Sequence, residues 1–252
     1  MKPAVILVGA DKGGVGKTTV SRAILDYLDE HNIPTRAFDT ETPRGTLHRF
    51  HPDITEIVDV THTSDQMRIL DTLEDSAVKV SLIDVRAGQL STTLRALRDI
   101  GFLDAAKEGE FTFMLFHILG SSIASLDEIA ETAPFATDAH YYLVKNYVND
   151  STFFEWDPKT YKDHFETVKS ATDITIPKLD ELAYEQVDLA AVPFATFRDN
   201  RTADGDQASY SFVLRGYVRT WLRNVSEELD SAGVVQTLGV KGKGKSKPKS
   251  KK

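Results

Sequence analysis

The segment Gly9-Ala-Asp-Lys-Gly-Gly-Val-Gly-Lys-Thr-Thr19 constrains this chain more than any other. It lies between the apolar run Pro3 to Gly9 and the stretch Lys17 to Glu30, whose Val20, Ala23, Ile24, Tyr27 and Leu28 recur at helical spacing. A buried strand that passes through a glycine-rich turn into a helix points to a layered α/β architecture. Within the turn, glycines let the backbone bend tightly, so that successive N–H groups point inward. The helix that follows adds its positive N-terminal end. Such a turn is a cradle for phosphate.

The rest of the chain continues the alternation. Strands are expected at Thr35 to Asp39, Val78 to Asp84, Phe111 to Ile118, His140 to Lys145 and Ile174 to Pro177. Helices are expected at Met67 to Leu73, Thr92 to Ile100 and Ile123 to Thr132. A last helix carries Leu214, Val218, Trp221, Leu222, Val225 and Leu229 on one face and stops at Gly233. The pattern predicts a three-layer, doubly wound, mostly parallel sheet with helices on both faces, formed by residues 1–238. Residues 239–252, rich in Gly, Lys, Ser and Pro, are expected to be a disordered tail.

Composition narrows the chemistry. Of 252 residues none is cysteine, which excludes disulfides, zinc thiolate sites and cysteine nucleophiles. No apolar stretch approaches the ~20 residues of a membrane-spanning helix, and no signal peptide is expected, so the expected location is the cytoplasm. The net charge is −8, yet seven lysines fall within residues 241–252. An acidic body with a basic tail points towards a polyanionic partner.

The motif Lys12-Gly13-Gly14-Val15-Gly16-Lys17-Thr18 is that of a P-loop. In it Lys17 reaches the β- and γ-phosphates of a nucleotide, the Thr18 hydroxyl ligates Mg²⁺, and Thr19 serves the α-phosphate side. Lys12 is a second lysine, which an ordinary P-loop does not need. With it the loop resembles the deviant Walker A motif of the MinD/ParA ATPases. That resemblance implies a P-loop NTPase fold of the SIMIBI type, bound Mg–ATP, and a homodimer in which Lys12 reaches the partner's phosphates.

The resemblance extends to two strand ends. Asp39-Thr-Glu-Thr-Pro-Arg-Gly45 resembles switch I of that family, with Glu41 in place of an aspartate that positions the attacking water and Asp39 supporting the metal's water shell or the P-loop lysine. Leu82-Ile-Asp-Val-Arg-Ala-Gly88 resembles Walker B and switch II. There Asp84 would hold a Mg²⁺-bound water, the Gly88 amide would sense the γ-phosphate, and Arg86 replaces a proline. Asn146, which offers a donor and an acceptor, would read the adenine edge, with Pro177, Lys178 and Leu179 against the ring.

Asp39 to Leu47 and Pro193 to Arg198 look like a branch encoded beside plasmid-stability or conjugative-transfer genes. The implied function is an ATPase that acts as a dimer switch, with a protein partner from a partition or transfer system. No helix-turn-helix is expected before the first strand, so DNA would meet surface charge: Arg215, Arg219 and Arg223, spaced by four, together with the lysine tail. Two other readings stay open, a non-hydrolysing nucleotide-binding adaptor and an ATP-dependent ligase of the cobyrinate or dethiobiotin synthase type. His48 and His51 read as surface or switch-region residues.

Overall fold

The computed structural model describes residues 2–148 and 171–240, together with 153, 159, 162 and 163. Seven parallel strands form one sheet: β1 (Ala4–Gly9), β2 (Thr35–Asp39), β3 (Thr55–Ile57), β4 (Val80–Asp84), β5 (Thr112–Leu119), β6 (His140–Asn146) and β7 (Thr172–Ile176). Their order is β3-β2-β4-β1-β5-β6-β7. The sheet is wholly parallel where the sequence led us to expect a mostly parallel one.

Helices cover both faces. On one side lie α1 (Lys17–Glu30), the short α2 (Thr46–Phe50), α7 (Glu181–Ala190), α8 (Phe194–Arg198), α9 (Phe212–Ser231) and α10 (Val234–Thr237). On the other lie α3 (Thr63–Asp71), α4 (Leu90–Asp99), α5 (Phe102–Glu108) and α6 (Ile123–Thr132). The two faces come from the period-two alternation of the strands. Ala4, Ile6 and Val8 of β1 enter the first core, and Val5 and Leu7 enter the second. A central parallel strand buries both faces, which is why β1 reads as an unbroken apolar run.

The expected helix at Met67 to Leu73 begins a turn earlier, at Thr63, and ends at Asp71. β3, α2, α5, α7 and α8 were not anticipated. β3 has three residues, too few for a period to show. α2 and α8 have five residues each and are set by their contacts, not by an apolar stripe. α9 follows its apolar face as expected, and Gly233, at φ 75°, closes it in the left-handed conformation. The packed chain reaches beyond 238: Val240 rests on the first core and its N–H donates to Val235 O at 3.1 Å. The lysine-rich part of the predicted tail, 241–252, lies outside the described residues.

Candidate functional site

Strand order and register bring the candidate residues to one end of the sheet. β1 ends in the glycine-rich loop, and β2 and β4, in register through Asp39 and Asp84, end beside it. A cavity of about 260 Å³ opens there, lined by Gly14 and Gly16 to Thr19 of the loop and by Asp39, Glu41, Thr46, Asp84, Arg86 and Tyr184. Crevices outside the carboxyl ends of parallel strands are where doubly wound folds bind ligands.

Asp84 is the buried centre of this site. Its Oδ2 accepts from Thr18 Oγ1 and its Oδ1 from Ser21 Oγ, both at 2.8 Å. Burial first, and then the neighbouring Asp39 carboxylate, raises its pKa to about 7. Lys17 is buried too, and burial lowers its pKa against the pull of Asp84, Glu128, Glu41 and Asp11. Its Nζ donates to Lys12 O at 3.3 Å.

Asp39 proves to be a clamp. Oδ1 accepts from Glu41 N at 2.9 Å, and Oδ2 accepts from Leu47 N at 2.6 Å and His48 N at 3.2 Å. The carboxylate thus holds the first turn of α2 and the loop before it. Gly45 is glycine because a Cβ there would stand 2.7 Å from Asp39 Oδ2. Glu41 is exposed at the mouth of the cavity and accepts a short hydrogen bond from Thr46 Oγ1. Thr40 was missed in the sequence: its Oγ1 accepts from Arg86 N at 2.8 Å and ties the two switch segments together. The Arg86 side chain is exposed at the cavity rim. Gly88 has φ +75°, a backbone few other residues adopt.

Lys12 does not reach outward. Its Nζ donates to Ser122 Oγ of its own chain at 2.7 Å. Asp11, also missed, accepts from Ser91 N at 3.2 Å and from Ser91 Oγ, joining the loop to the first turn of α4.

No protein-family model matches the chain, and no curated protein matches it. Solved structures do. The septum site-determining protein MinD of Pyrococcus horikoshii OT3, complexed with Mg-ADP, superposes with a TM-score of 0.56 at 17% identity, over 93% of this chain and 98% of that one. The fold is the MinD-like P-loop NTPase α/β fold. The MinD cell division protein of Aquifex aeolicus gives a TM-score of 0.50 at 12% identity, over 86% of this chain and 95% of that one.

In this MinD-like fold a second cleft, of about 160 Å³, continues from the first across Thr19 and Tyr184. Asn146, Pro177 and Leu179 line it together with Trp221. Asn146 also has a part within the chain. Its Nδ2 donates to Val15 O at 3.0 Å and Gly16 O at 3.2 Å, so the amide props the loop and only Oδ1 is left to accept. Gly16, at φ +79°, leaves room for this prop: a Cβ would lie 2.3 Å from Asn146 Nδ2. Lys178 does not line the cleft; its ammonium pairs with Glu181 at 2.8 Å. Tyr184 OH shares a 3.0 Å hydrogen bond with Thr19 Oγ1, and Trp221 Nε1 donates to Pro177 O at 2.6 Å. Neither aromatic stood out in the sequence as a site residue: Trp221 reads as part of an apolar helix face, and the helix that carries Tyr184 was not anticipated.

Three surface expectations also meet the structure. Arg219 and Arg223 are exposed, but Arg215 is half-buried with its guanidinium 5.7 Å from the Phe212 ring, so the stripe has two outward members. His48 is half-buried beside the first switch, whereas His51 is buried. No helix among the described residues is long and apolar enough to cross a membrane.

Proposed function

We propose that this chain is a Mg–ATP-binding ATPase of the MinD/ParA kind, which dimerises on ATP and resets on hydrolysis. The observation that carries the reading is the Thr18–Asp84–Ser21 hydrogen-bond set beside Lys17 at the mouth of a glycine loop. Among the described residues no cluster of three carboxylates or histidines can hold a metal alone. A site of one hydroxyl and one carboxylate suits Mg²⁺, which keeps several waters and takes its other ligands from phosphates. Bound there, Mg²⁺ offsets phosphate charge. Lys17 would leave Lys12 O for the phosphates, Thr18 would turn from Asp84 to the metal, and Asp84 would accept from a metal-bound water. Asp39 would act on the metal's water shell only through the segment it clamps. Asn146 Oδ1 would accept from the exocyclic amine of adenine, with Pro177 and Leu179 against the ring.

The dimer reading rests on the second lysine of the loop, Lys12, which would exchange its own chain's Ser122 for a partner's phosphates. Cargo would be DNA held at Arg219, Arg223 and the lysine tail, or a protein of a partition or transfer system. Light scattering with Mg–ADP and with a non-hydrolysable Mg–ATP analogue tests this. Wild type should double in mass with the analogue only, and Lys12→Ala should not. Monomers throughout, alongside tight nucleotide binding, would remove the dimer switch.

A second reading, an adaptor that binds without turnover, draws support from Glu41, whose carboxylate is engaged by Thr46. Phosphate release no faster than in Asp84→Ala, with and without DNA, would favour it.

A further inference from the structure

A cavity of about 350 Å³ lies behind α2, between α1, the chain leaving α2 and the start of α8, and shares no lining residue with the two nucleotide clefts. Asp26 of α1 forms part of its wall. It is 7% exposed, and among the described residues its carboxylate accepts one hydrogen bond, from Ala195 N to Oδ2 at 3.2 Å. Oδ1 has no partner, yet is not sealed from solvent. A carboxylate this buried is costly when ionised, and burial raises its pKa to about 7.

The nearest cation along α1, Arg22, does not neutralise it through an ion pair. The Arg22 guanidinium lies between the rings of Phe50, at 3.4 Å, and Phe194, at 4.1 Å, and donates to Val192 O. His51, on the same wall, is 9% exposed and its Nε2 has no hydrogen-bond partner. Burial holds that imidazole neutral down to about pH 3. Of the other charged lining groups, Asp29 and Asp53 are exposed and acidic. Arg49 is the one cation in the lining, and it is bound to Asp188 through both the carboxylate and the carbonyl. The remaining wall is apolar, with Leu25, Pro193 and Ala195, apart from Thr196.

We propose that this cavity binds a guanidinium or primary ammonium group on an aliphatic stem, with Asp26 as its counter-ion. The acidic surplus selects a cation, the apolar part of the wall accommodates its stem, and the free Asp26 oxygen gains a charged partner. The stem can belong to a diffusible amine or to a basic side chain of another polypeptide. Because Phe50 and His51 lie on α2 and its exit, and Asp39 clamps the other end of α2, occupancy is coupled to the first switch. This last consequence alone rests on the proposed nucleotide function.

The test is calorimetric titration of the nucleotide-free protein with agmatine and with a blocked Gly-Gly-Arg-Gly-Gly peptide. Wild type, Asp26→Asn and Ala203→Trp are compared; Ala203 is exposed on the cavity wall, so the tryptophan fills the space without removing a buried partner. Binding should weaken at least tenfold in Asp26→Asn and be lost in Ala203→Trp, whose thermal midpoint should match wild type. Tighter binding of agmatine assigns the site to a small amine, and tighter binding of the peptide to a polypeptide side chain. No binding of either probe, or equal binding by wild type and Ala203→Trp, overturns the proposal. Should Asp26→Asn fail to fold, the Ala203→Trp comparison decides. ATP binding plays no part in the readout, so loss of the nucleotide reading would leave this result standing.

Discussion

At Asp84, burial and a neighbouring carboxylate act in the same direction. The folded pKa, about 7, stands above the ordinary 3.8, so between these values the folded chain holds a proton that the unfolded chain releases. Stability without ligand should therefore fall as pH rises from about 4 to about 7, and Asp84→Asn should flatten part of that slope in urea titrations. Asp26 adds to the same trend, so the slope should not vanish. The same proton competes with the metal. Mg–nucleotide affinity should drop below pH 7 by up to about tenfold per unit, with proton release on binding measurable by calorimetry in two buffers. At Gly16, alanine would need a left-handed backbone, costing about 1–2 kcal/mol, and would drive its Cβ into Asn146. Gly16→Ala should lose nucleotide binding in a fluorescent-analogue titration, and binding retained at wild-type affinity would disprove the Asn146 prop.

Helix α2 has only five residues and cannot stand by its own propensity. Asp39 holds its first turn, Arg49 ties it to Asp188 of α7, and Phe50 rests on the Arg22 guanidinium. Asp39→Ala should cost about 1–2 kcal/mol, in the manner of a lost helix cap. Arg22 separates charge from packing. Its buried Nε is unsatisfied and burial pulls its pKa down to about 10, so the charge is held at a cost. Arg22→Met, which keeps the volume, should lie within about 1.5 kcal/mol of wild type. Arg22→Ala, which leaves a cavity, should lose about 2–5 kcal/mol. Equal losses in chemical denaturation would mean that the cation itself holds α2 in place.

The molecule as a whole places two apolar cores on either side of one sheet and gathers the polar machinery at the carboxyl ends of β1, β2 and β4. α1 begins in the loop and runs through the first core, and Asp11 and Ser91 join the loop to α4 on the other side. A ligand gripped by that loop is thus linked to the stability of both layers. Mg–nucleotide at 100 times its Kd should raise the unfolding free energy by about 2.7 kcal/mol. A midpoint unmoved by saturating Mg–ATP and Mg–ADP would argue against a nucleotide site.

The sequence by itself determined the strand–loop–helix with Lys12, Lys17 and Thr18, the alternating layers, and the acids Asp39 and Asp84 at strand ends, because glycine spacing and apolar periodicity are local properties. Only the tertiary structure decided that Asp39 and Asp84 stand in register and that the Asp39 oxygens hold α2 and the loop before it. It decided as well that Asn146 props the loop, and that Thr40, Ser21 and Tyr184 belong to the site. Each of these depends on contacts between residues far apart in the chain, as Asn146 and Val15 are, 131 positions from one another. No periodicity or propensity carries such pairings, since they are fixed by the order in which parallel strands pack and by the need of each buried polar atom for a partner.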